Sequence, residues 1–368
     1  MVKEMRKSAL VFLWLLLIGL MFSLFEVSLV KSGSTIIVPD DYLTIQEAIN
    51  NANEGDTIFV SAGTYTENVV VNKSVIITSD QRTGIVNASD PLEAAIWIEA
   101  DNVVINQIGT IGRIRLYASS NCVVEDNYVG MYGSIQVQLG SHNLIIDNSI
   151  EPCYGGIELS LTNNNTITRN VMNPHSWSMW LYNSSFNHIF QNSIGRHWSD
   201  INLILYWSHN NTIEGNVLWD GGFEVMPRIE FHGSNDNLIF HNSFEGFSCE
   251  VNLYDNCMGN VWDNGVEGNY WCTYAGNDTN GDGVGDTNLP HKGLDYYPLM
   301  RPHWLITDVN HDYQVNIFDI VATATAYGST PSDPNWNPDC DLAEPYGVID
   351  IFDIVAVAMD YGLNYPSF

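Results

Sequence analysis

The chain has 368 residues, with 13 Lys and Arg against 43 Asp and Glu, giving a formal net charge of −30. That balance argues against nucleic acid and anionic membrane surfaces as partners. Only 15% of residues are charged while 12% are aromatic, which excludes a solvated acidic tail and leaves a folded chain with a largely uncharged polar exterior.

Lys3, Arg6 and Lys7 precede a mostly apolar run from Ala9 to Phe25, the pattern of an export leader. Its 17 residues also suffice for a membrane anchor, and Ser32 and Ser34 are the small residues able to flank a cleavage site. Residues 1–34 are therefore expected to be a signal peptide or N-terminal anchor of a secreted or cell-surface protein. The six cysteines of an exported chain permit disulfides, with Cys257 and Cys272 the first pair to test.

Ile36 to Val38 reads as a strand and the following LTIQEAINNANEG as one helix. Thr44 is placed to cap it, Glu47 to complete a capping box, and Gly55 to supply a left-handed stop. Ile45, Ala48, Ile49 and Ala52 share one face, which suits a lid over the first coil of a repeat array.

From Asp101 the chain repeats itself: DNVVIN, CVVEDN, NLIIDN, NTITRN, NHIFQN, NTIEGN and NLIFHN end on Asn106, Asn127, Asn148, Asn170, Asn192, Asn216 and Asn242. The spacing grows from 21 to 26 residues. Each period carries a second alternating run, RIRLY, SIQVQL, GIELSL, SMWLY, LILYW, RIEFH and EVNLY, half-buried in pattern. Short strands at a period near 22 describe the coils of a parallel β-helix. Stacking is expected to put Val103, Val124, Ile145, Ile167, Ile189, Ile213 and Ile239 in one interior column and the closing asparagines in a hydrogen-bonded ladder.

The run IQEAINNANEGDTIFVSAGTYTENVVV, the asparagine coils and the closing GNYWCTYAGNDTNGDGVGDTNLPHKGLDYYPLM together resemble the NosD-type family of right-handed β-helices. That family sits within the wider group of carbohydrate-binding and sugar-hydrolase domains. The resemblance spans roughly residues 36 to 302 and implies the fold more strongly than any activity. Members of the family include polysaccharide-active enzymes, surface proteins and accessory proteins of copper-enzyme maturation.

Two further stretches carry alternating oxygen ligands. Asp278, Asn280, Asp282 and Asp286, with Gly283 at the turn, suit a calcium loop, although Leu289 stands where an EF-hand has its bidentate acid. Beyond Thr307, VNIFDIVATATAYG recurs as IDIFDIVAVAMDYG at an offset of 34. Asp308, Asn310, Asp312, Gln314, Asn316 and Asp319 fall at calcium-loop positions, with Tyr313 replacing the usual glycine. The second loop is weaker, offering Asp341, Glu344, Asp350 and Asp353. Duplicated loops leading into helices resemble a dockerin, which implies calcium and a cohesin-like partner. Alternatively, the repeated Ile-Phe-Asp-Ile faces simply pack two helices together.

The turns after the closing asparagines hold Tyr154, Trp177, Trp198 and Trp219 beside Asp200, Asp220 and Glu245. Indole faces flanked by carboxylates are equipment for gripping sugar, while the alternative is a hydrophobic flank in which the tryptophans cover one another. Asp200, Asp220 and Glu245 are the candidate acids, because neighbouring coils lie about 5 Å apart and a skipped coil gives about 10 Å, near the retaining and inverting separations. The polygalacturonase signature of N-T-D, paired aspartates, G-H-G and R-x-K is absent, the only paired aspartates being Asp40 and Asp41 ahead of the capping helix, and Arg196 and Arg228 are the only basic candidates in these turns. Cys153, His175 and His197, each five places after an asparagine, form a possible copper or zinc set.

The expected organisation is therefore a leader (1–34), a right-handed parallel β-helix (35–271), a closing segment with a calcium loop (272–305) and a dockerin-like α-helical pair (306–364). The expected role is polysaccharide binding or degradation at the cell surface. A non-catalytic adhesin and a copper-handling accessory protein are the alternatives.

Overall fold

The computed structural model describes residues 33–151, 155–195, 201–219, 228–246, 249–280, 282–303, 307–310, 314–343 and 347–362, apart from the side chains of Ile201 and Arg228. Of the segment expected to be a leader, residues 1–32 lie outside these residues. Among them no helix is long and apolar enough to cross a membrane.

Twenty-nine short strands form three sheets of 10, 9 and 10 strands, and every pair joining them is parallel. Each coil contributes one strand to each sheet, so the sheets wrap a single interior as a parallel β-solenoid. Val124, Ile145, Ile167, Ile189, Ile213 and Ile239 stack in register inside the first sheet, as the repeat implies. The top of that column differs from expectation: Val124 pairs with Ile105, not Val103, because this coil is two residues shorter than the 21 assumed from Asn106. Asn106 consequently pairs with Glu125 and stays off the ladder.

The ladder begins one coil later. Asn127, Asn148, Asn170, Asn192, Asn216, Asn242 and Asn269 are buried, and each accepts a backbone N–H from the preceding coil on its Oδ1. Their Nδ2 groups donate to backbone carbonyls and to the next asparagine. A second ladder, invisible in the closing residues alone, runs through Asn143, Asn165, Asn187, Asn211, Asn237 and Asn260. A third uses hydroxyls: the amides of Thr162, Ser184 and Ser208 donate to Ser184, Ser208 and Ser234.

Every ladder asparagine except Asn269 follows a left-handed residue. Asp126, Asp147, Arg169, Gln191 and His241 have φ of 52 to 56° before the first ladder, and His142, Asn164, Phe186, Asn210 and Asp236 have 54 to 58° before the second. A positive φ turns the chain sharply and swings the next side chain inward, where the amide collects the polar groups that the corner leaves unpaired. The bulky Phe186 tolerates αL because the ladder bonds over-determine the corner. Between these corners the count is fixed up to the last coil. The period lengthens in the turn between the third and second sheets, where Ile194 to Leu203 spans 9 residues and Leu218 to Ile229 spans 11, against 7 for Ile150 to Ile157, and in the last coil between the two corners themselves, where Asn260 to Asn269 spans 9 against 5 for Asn237 to Asn242.

Both ends of the stack are covered. Helix α1 (Ile45–Asn51) buries Ile45, Ala48 and Ile49 over the first coil, with Thr44 accepting from Glu47 N at 3.1 Å. Glu47 does not complete the box: Glu67 of the next coil takes the Ile45 and Gln46 amides instead. The helix ends on the extended Ala52, ahead of Gly55, and Lys73 Nζ donates to the Ile49, Asn50 and Ala52 carbonyls. At the far end Phe244, Trp262 and Trp271 close the core, and the first ladder stops on Asp295.

Beyond the solenoid, helices α2 (Ile317–Ala326) and α3 (Ile351–Met359) enclose a second, small core of Val309, Val315, Ala326, Cys340, Ile349 and Val357. Only part of their Ile-Phe-Asp-Ile faces packs: Ile317, Phe318, Ile351 and Phe352 are exposed, whereas Ile320 packs against this core and Asp319, Thr323, Asp353 and Val357 turn inward. Cys257 and Cys272 are not bonded. Cys257 Sγ instead accepts the Ser234 amide and ends the hydroxyl ladder, and no disulfide occurs among the described residues.

Candidate functional site

The long turns between the third and second sheets contain most of the residues singled out for sugar chemistry. Tyr154, Trp198, Asp200 and Asp220 lie outside the described residues, as do Cys153 and His197. Of the rest, Trp177 is half-buried, its indole laid against Gly155, where a Cβ would come within 2.5 Å of the ring. It also meets Trp180 edge-on at 5.7 Å and 84°. Trp219 is different. Only 8% exposed, it lies over Gly195, where a Cβ would stand 2.1 Å from the ring, and its Nε1 donates to Ser193 Oγ at 2.8 Å. This indole is wall rather than platform, so Trp219 does not present a face for a sugar. Glu245 is half-buried just after the strand Ser243–Phe244, its amide donating to Leu218 O at 2.8 Å. His175, the described member of the thiol and imidazole set, is exposed.

The structure brings a different set of residues together, on the outward face of the second sheet. Its strands include Ala94–Ile98, Arg113–Tyr117, Ile135–Gln138, Ile157–Ser160, Trp177–Tyr182, Ile201–Tyr206, Arg228–His232 and Glu250–Tyr254. Register places Trp97, Arg115, Gln136, Glu158, Trp180, Ile204 and Glu230 in one row across the coils. The next outward row reads Tyr117, Gln138, Ser160, Tyr182, Tyr206, His232 and Tyr254. Successive members of a row are spaced by the ordinary interstrand distance of about 4.8 Å.

At one end of this face the Arg115 guanidinium sits over Trp97, 4.7 Å from its centroid, and bonds to Gln138 Oε1. In the middle, Gln136 Nε2 donates to Glu158 Oε2 at 3.0 Å. Burial pushes the Glu158 carboxyl above the ordinary glutamate range, against the lowering effect of nearby Arg115 and of that hydrogen bond. At the other end His232 is stacked between Tyr206 at 4.2 Å and Tyr254 at 4.6 Å, and its Nε2 lies 3.3 Å from Glu230 Oε2. Trp207, half exposed, meets Tyr182 edge-on. Trp97 Nε1, Trp180 Nε1 and Arg115 Nε have no hydrogen-bond partner among the described residues. Buried donors are normally satisfied, so three such groups on one face mark a surface short of acceptors.

In the sequence these strands read as fold, and the turns carry the residues expected for chemistry. The signal was nonetheless present: once the alternating runs are aligned by their period, the outward places of RIRLY, GIELSL, SMWLY and RIEFH carry Arg, Glu, Trp and His instead of the Ser, Thr and Asn of an idle exterior.

The two groups of oxygen-rich loops are ordered by their own backbone. Asp278 Oδ2 accepts Gly283 N, Asn280 accepts Asp282 N, Asp282 accepts Val284 N, and Asp286 accepts Thr279 N. The Thr279 hydroxyl, with the Thr279 amide, holds the Asp286 carboxyl below its usual range. In the C-terminal pair, Asn316 and Asp350 cap α2 and α3, with Asp319 and Asp353 returning bonds to the cap amides. Asp319 also accepts Asn310 N, and Asp353 accepts Leu342 N and Ala343 N. Asp308, Gln314 and Asp341 lie among the described residues, whereas Asp312 and Glu344 do not. The two halves thus repeat one carboxylate arrangement at the mouth of each helix.

Residues 49–228 match the model of a family described as periplasmic copper-binding protein (NosD). A cell surface glycoprotein of Methanothermus fervidus is 33% identical over 130 residues, 34% of this chain and 21% of that protein. A probable ABC transporter binding protein NosD of Pseudomonas aeruginosa is 35% identical over 104 residues, 27% of this chain and 23% of that protein. The chain thus matches between a fifth and a quarter of the length of these relatives. Among solved structures, the Dettilon tailspike protein has a TM-score of 0.41 at 11% identity, covering 64% of this chain and 66% of that one. The pneumococcal surface adhesin PfbA has 0.36 at 12%, covering 73% and 96%.

Proposed function

Starting from a β-solenoid whose residues 49–228 match the NosD family, we propose that this protein binds polysaccharide at the cell surface, the glycan lying across the coils on the outward face of the second sheet. The observation that carries this reading is the register of Trp97, Arg115, Gln136, Glu158 and Trp180 in one row beside the row containing Tyr206, His232 and Tyr254. Aromatic faces accept the apolar side of a sugar ring, and amide, carboxyl and guanidinium groups between them accept and donate to hydroxyls. The surface location is supported by the resemblance to the cell surface glycoprotein.

Cleavage is the catalytic extension of this reading. It assigns Asp200, Asp220 and Glu245, in the turns that border the face, as the acids. Attachment is assigned to the C-terminal pair, as a dockerin-like module binding calcium through Asp308, Asn310, Asp312, Gln314, Asn316 and Asp319 and, more weakly, through Asp341, Glu344, Asp350 and Asp353. The exposed triplets Ile317, Phe318, Val321 and Ile351, Phe352, Val355 repeat at the offset of 34 and offer a cohesin-like partner two equivalent apolar surfaces. Calcium at Asp278, Asn280, Asp282 and Asp286 belongs to the same proposal. The family's description supports a second reading, copper handling through Cys153, His175 and His197, for which stoichiometric copper lost in Cys153→Ser is the signature.

The test incubates the full chain in calcium with a panel of polysaccharides and records bound protein and newly released chain ends. Retention on at least one glycan, weakened roughly tenfold or more in Trp180→Ala and in Arg115→Ala, is the expected result for anchors of this kind. Binding unchanged in both variants would remove the face from the account. Chain ends that vanish in Asp220→Asn or Glu245→Gln would make the protein an enzyme.

A further inference from the structure

At the end of the solenoid, three side chains from separate stretches of the chain meet outside the family-matched segment. His241 is the left-handed corner residue before Asn242, with φ of 56° and its amide bonded to Gly268 O. Glu267 closes a short loop in the next coil, whose shape is fixed by Asn264 Oδ1 accepting both Val266 N and Glu267 N. His303 lies in the segment that leaves the last coil toward the C-terminal helices. Glu267 Oε2 is 2.7 Å from His241 Nε2, and the imidazoles of His241 and His303 are stacked at 3.6 Å and 9°. One ligand atom from each of the three residues lies within 4.8 Å of the others, and all three side chains are half-buried.

From this geometry we infer a divalent metal site of the zinc class, with His241, Glu267 and His303 as its protein ligands. Two imidazoles and one carboxylate are a borderline nitrogen and oxygen set that suits zinc and discriminates against calcium, which takes six or more oxygens. The oxygen-rich loops of this chain contain no histidine among their proposed ligands, so the two donor sets share no residue and differ in chemistry. Two of the donors sit on backbone that the solenoid already fixes, so the ordering cost of binding falls mainly on His303. Parallel rings direct their lone pairs into parallel planes, so one imidazole rotates about its Cβ–Cγ bond to bring both nitrogens to one point. Three protein ligands leave a fourth position for water or for a group on a bound molecule. The consequence is a staple: an ion here ties the exit segment to the last two coils.

The experiment uses the untagged full chain in millimolar calcium, so that the oxygen loops are filled, and titrates it with Zn²⁺ by calorimetry and with Co²⁺ by visible absorption. Expected are one zinc equivalent that calcium does not displace, a cobalt spectrum of low coordination number, and a melting temperature raised by zinc. Glu267→Gln, which preserves shape, and His303→Ala should each weaken that equivalent at least ~10-fold and abolish the zinc-dependent rise in melting temperature. An absent zinc equivalent in the parent chain would overturn the site. So would zinc affinity and cobalt spectrum left unchanged in both variants.

Discussion

The smallest unit of this fold is a pair of residues, a left-handed corner followed by an inward asparagine. Asn192 illustrates its weight: Oδ1 accepts from Asn170 N and Nδ2, while its own Nδ2 donates to Ile167 O, Phe190 O and Asn216 Oδ1. All of these groups are sealed from water, so Asn192→Ala strands several at once at about 1–3 kcal/mol each before relaxation. The expected loss is about 3–5 kcal/mol, read by denaturant unfolding. Asn192→Asp keeps the acceptor but loses the donors and buries a charge among carbonyls, and should cost at least as much. A loss under about 1 kcal/mol for the alanine variant would show the ladder to be ornamental. The closing asparagines were legible because they recur after each aliphatic run. The opening ladder was written equally plainly, yet its hydrogen bonds become apparent only once the αL corner shows which of two adjacent asparagines, such as Asn164 and Asn165, points inward.

At the level of strands and helices, alternation told inside from outside, but register had to come from the structure. Asn106 looks like the first rung, yet the 19 residues between Ile105 and Val124 place Ile108 where a ladder asparagine belongs. A two-residue deletion preserves alternation and so leaves no trace in a hydrophobic pattern. The outward residues of the second sheet are hidden for a related reason: they acquire meaning only when seven strands are laid side by side. Glu158 on that face stands at an energetic cost. Its carboxyl titrates higher in the folded chain than the ordinary value of 4.5, burial being the first cause, so protonation favours the fold. The contribution is fully favourable below pH 4.5 and fades as pH rises through the elevated value. Glu158→Gln, which keeps the acceptor for Gln136 Nε2, should therefore gain stability over the parent near pH 7 and lose that advantage below 4.5. If the face binds glycan as proposed, the substitution should also weaken that binding, because Glu158 stands between Gln136 and Trp180 in the row across the coils. Melting curves at the two pH values check the first part; a pH-independent difference would assign the effect to packing instead.

Over the whole molecule the solenoid is a one-dimensional stack in which each coil is stabilised chiefly by its two neighbours. Such a stack is weakest at its ends, and the two ends are finished by different chemistry. At the start α1 spreads an apolar face over the first coil while Glu67 and Lys73 satisfy its two termini. At the finish there is no further coil to receive donors, so the last rung has only to accept. Asp295 does so, taking Asn269 N and Trp271 Nε1 on Oδ2, each at 2.8 Å, and Tyr297 N on Oδ1 at 3.0 Å. A carboxylate suits this place where an amide suits every earlier one, because the asparagine donors have lost their next acceptor and found it in a side chain with no donors of its own. Asp295→Ala should then open the stack locally. Hydrogen exchange at Asn269, Trp271 and Tyr297 should accelerate by an order of magnitude or more, corresponding to roughly 1.4 kcal/mol or greater. Amides of the strand Arg113–Tyr117, several coils away, should keep their protection. Uniform acceleration along the chain would mean instead that the coils unfold as one cooperative block, and that the terminal carboxylate secures the entire stack rather than its last turns.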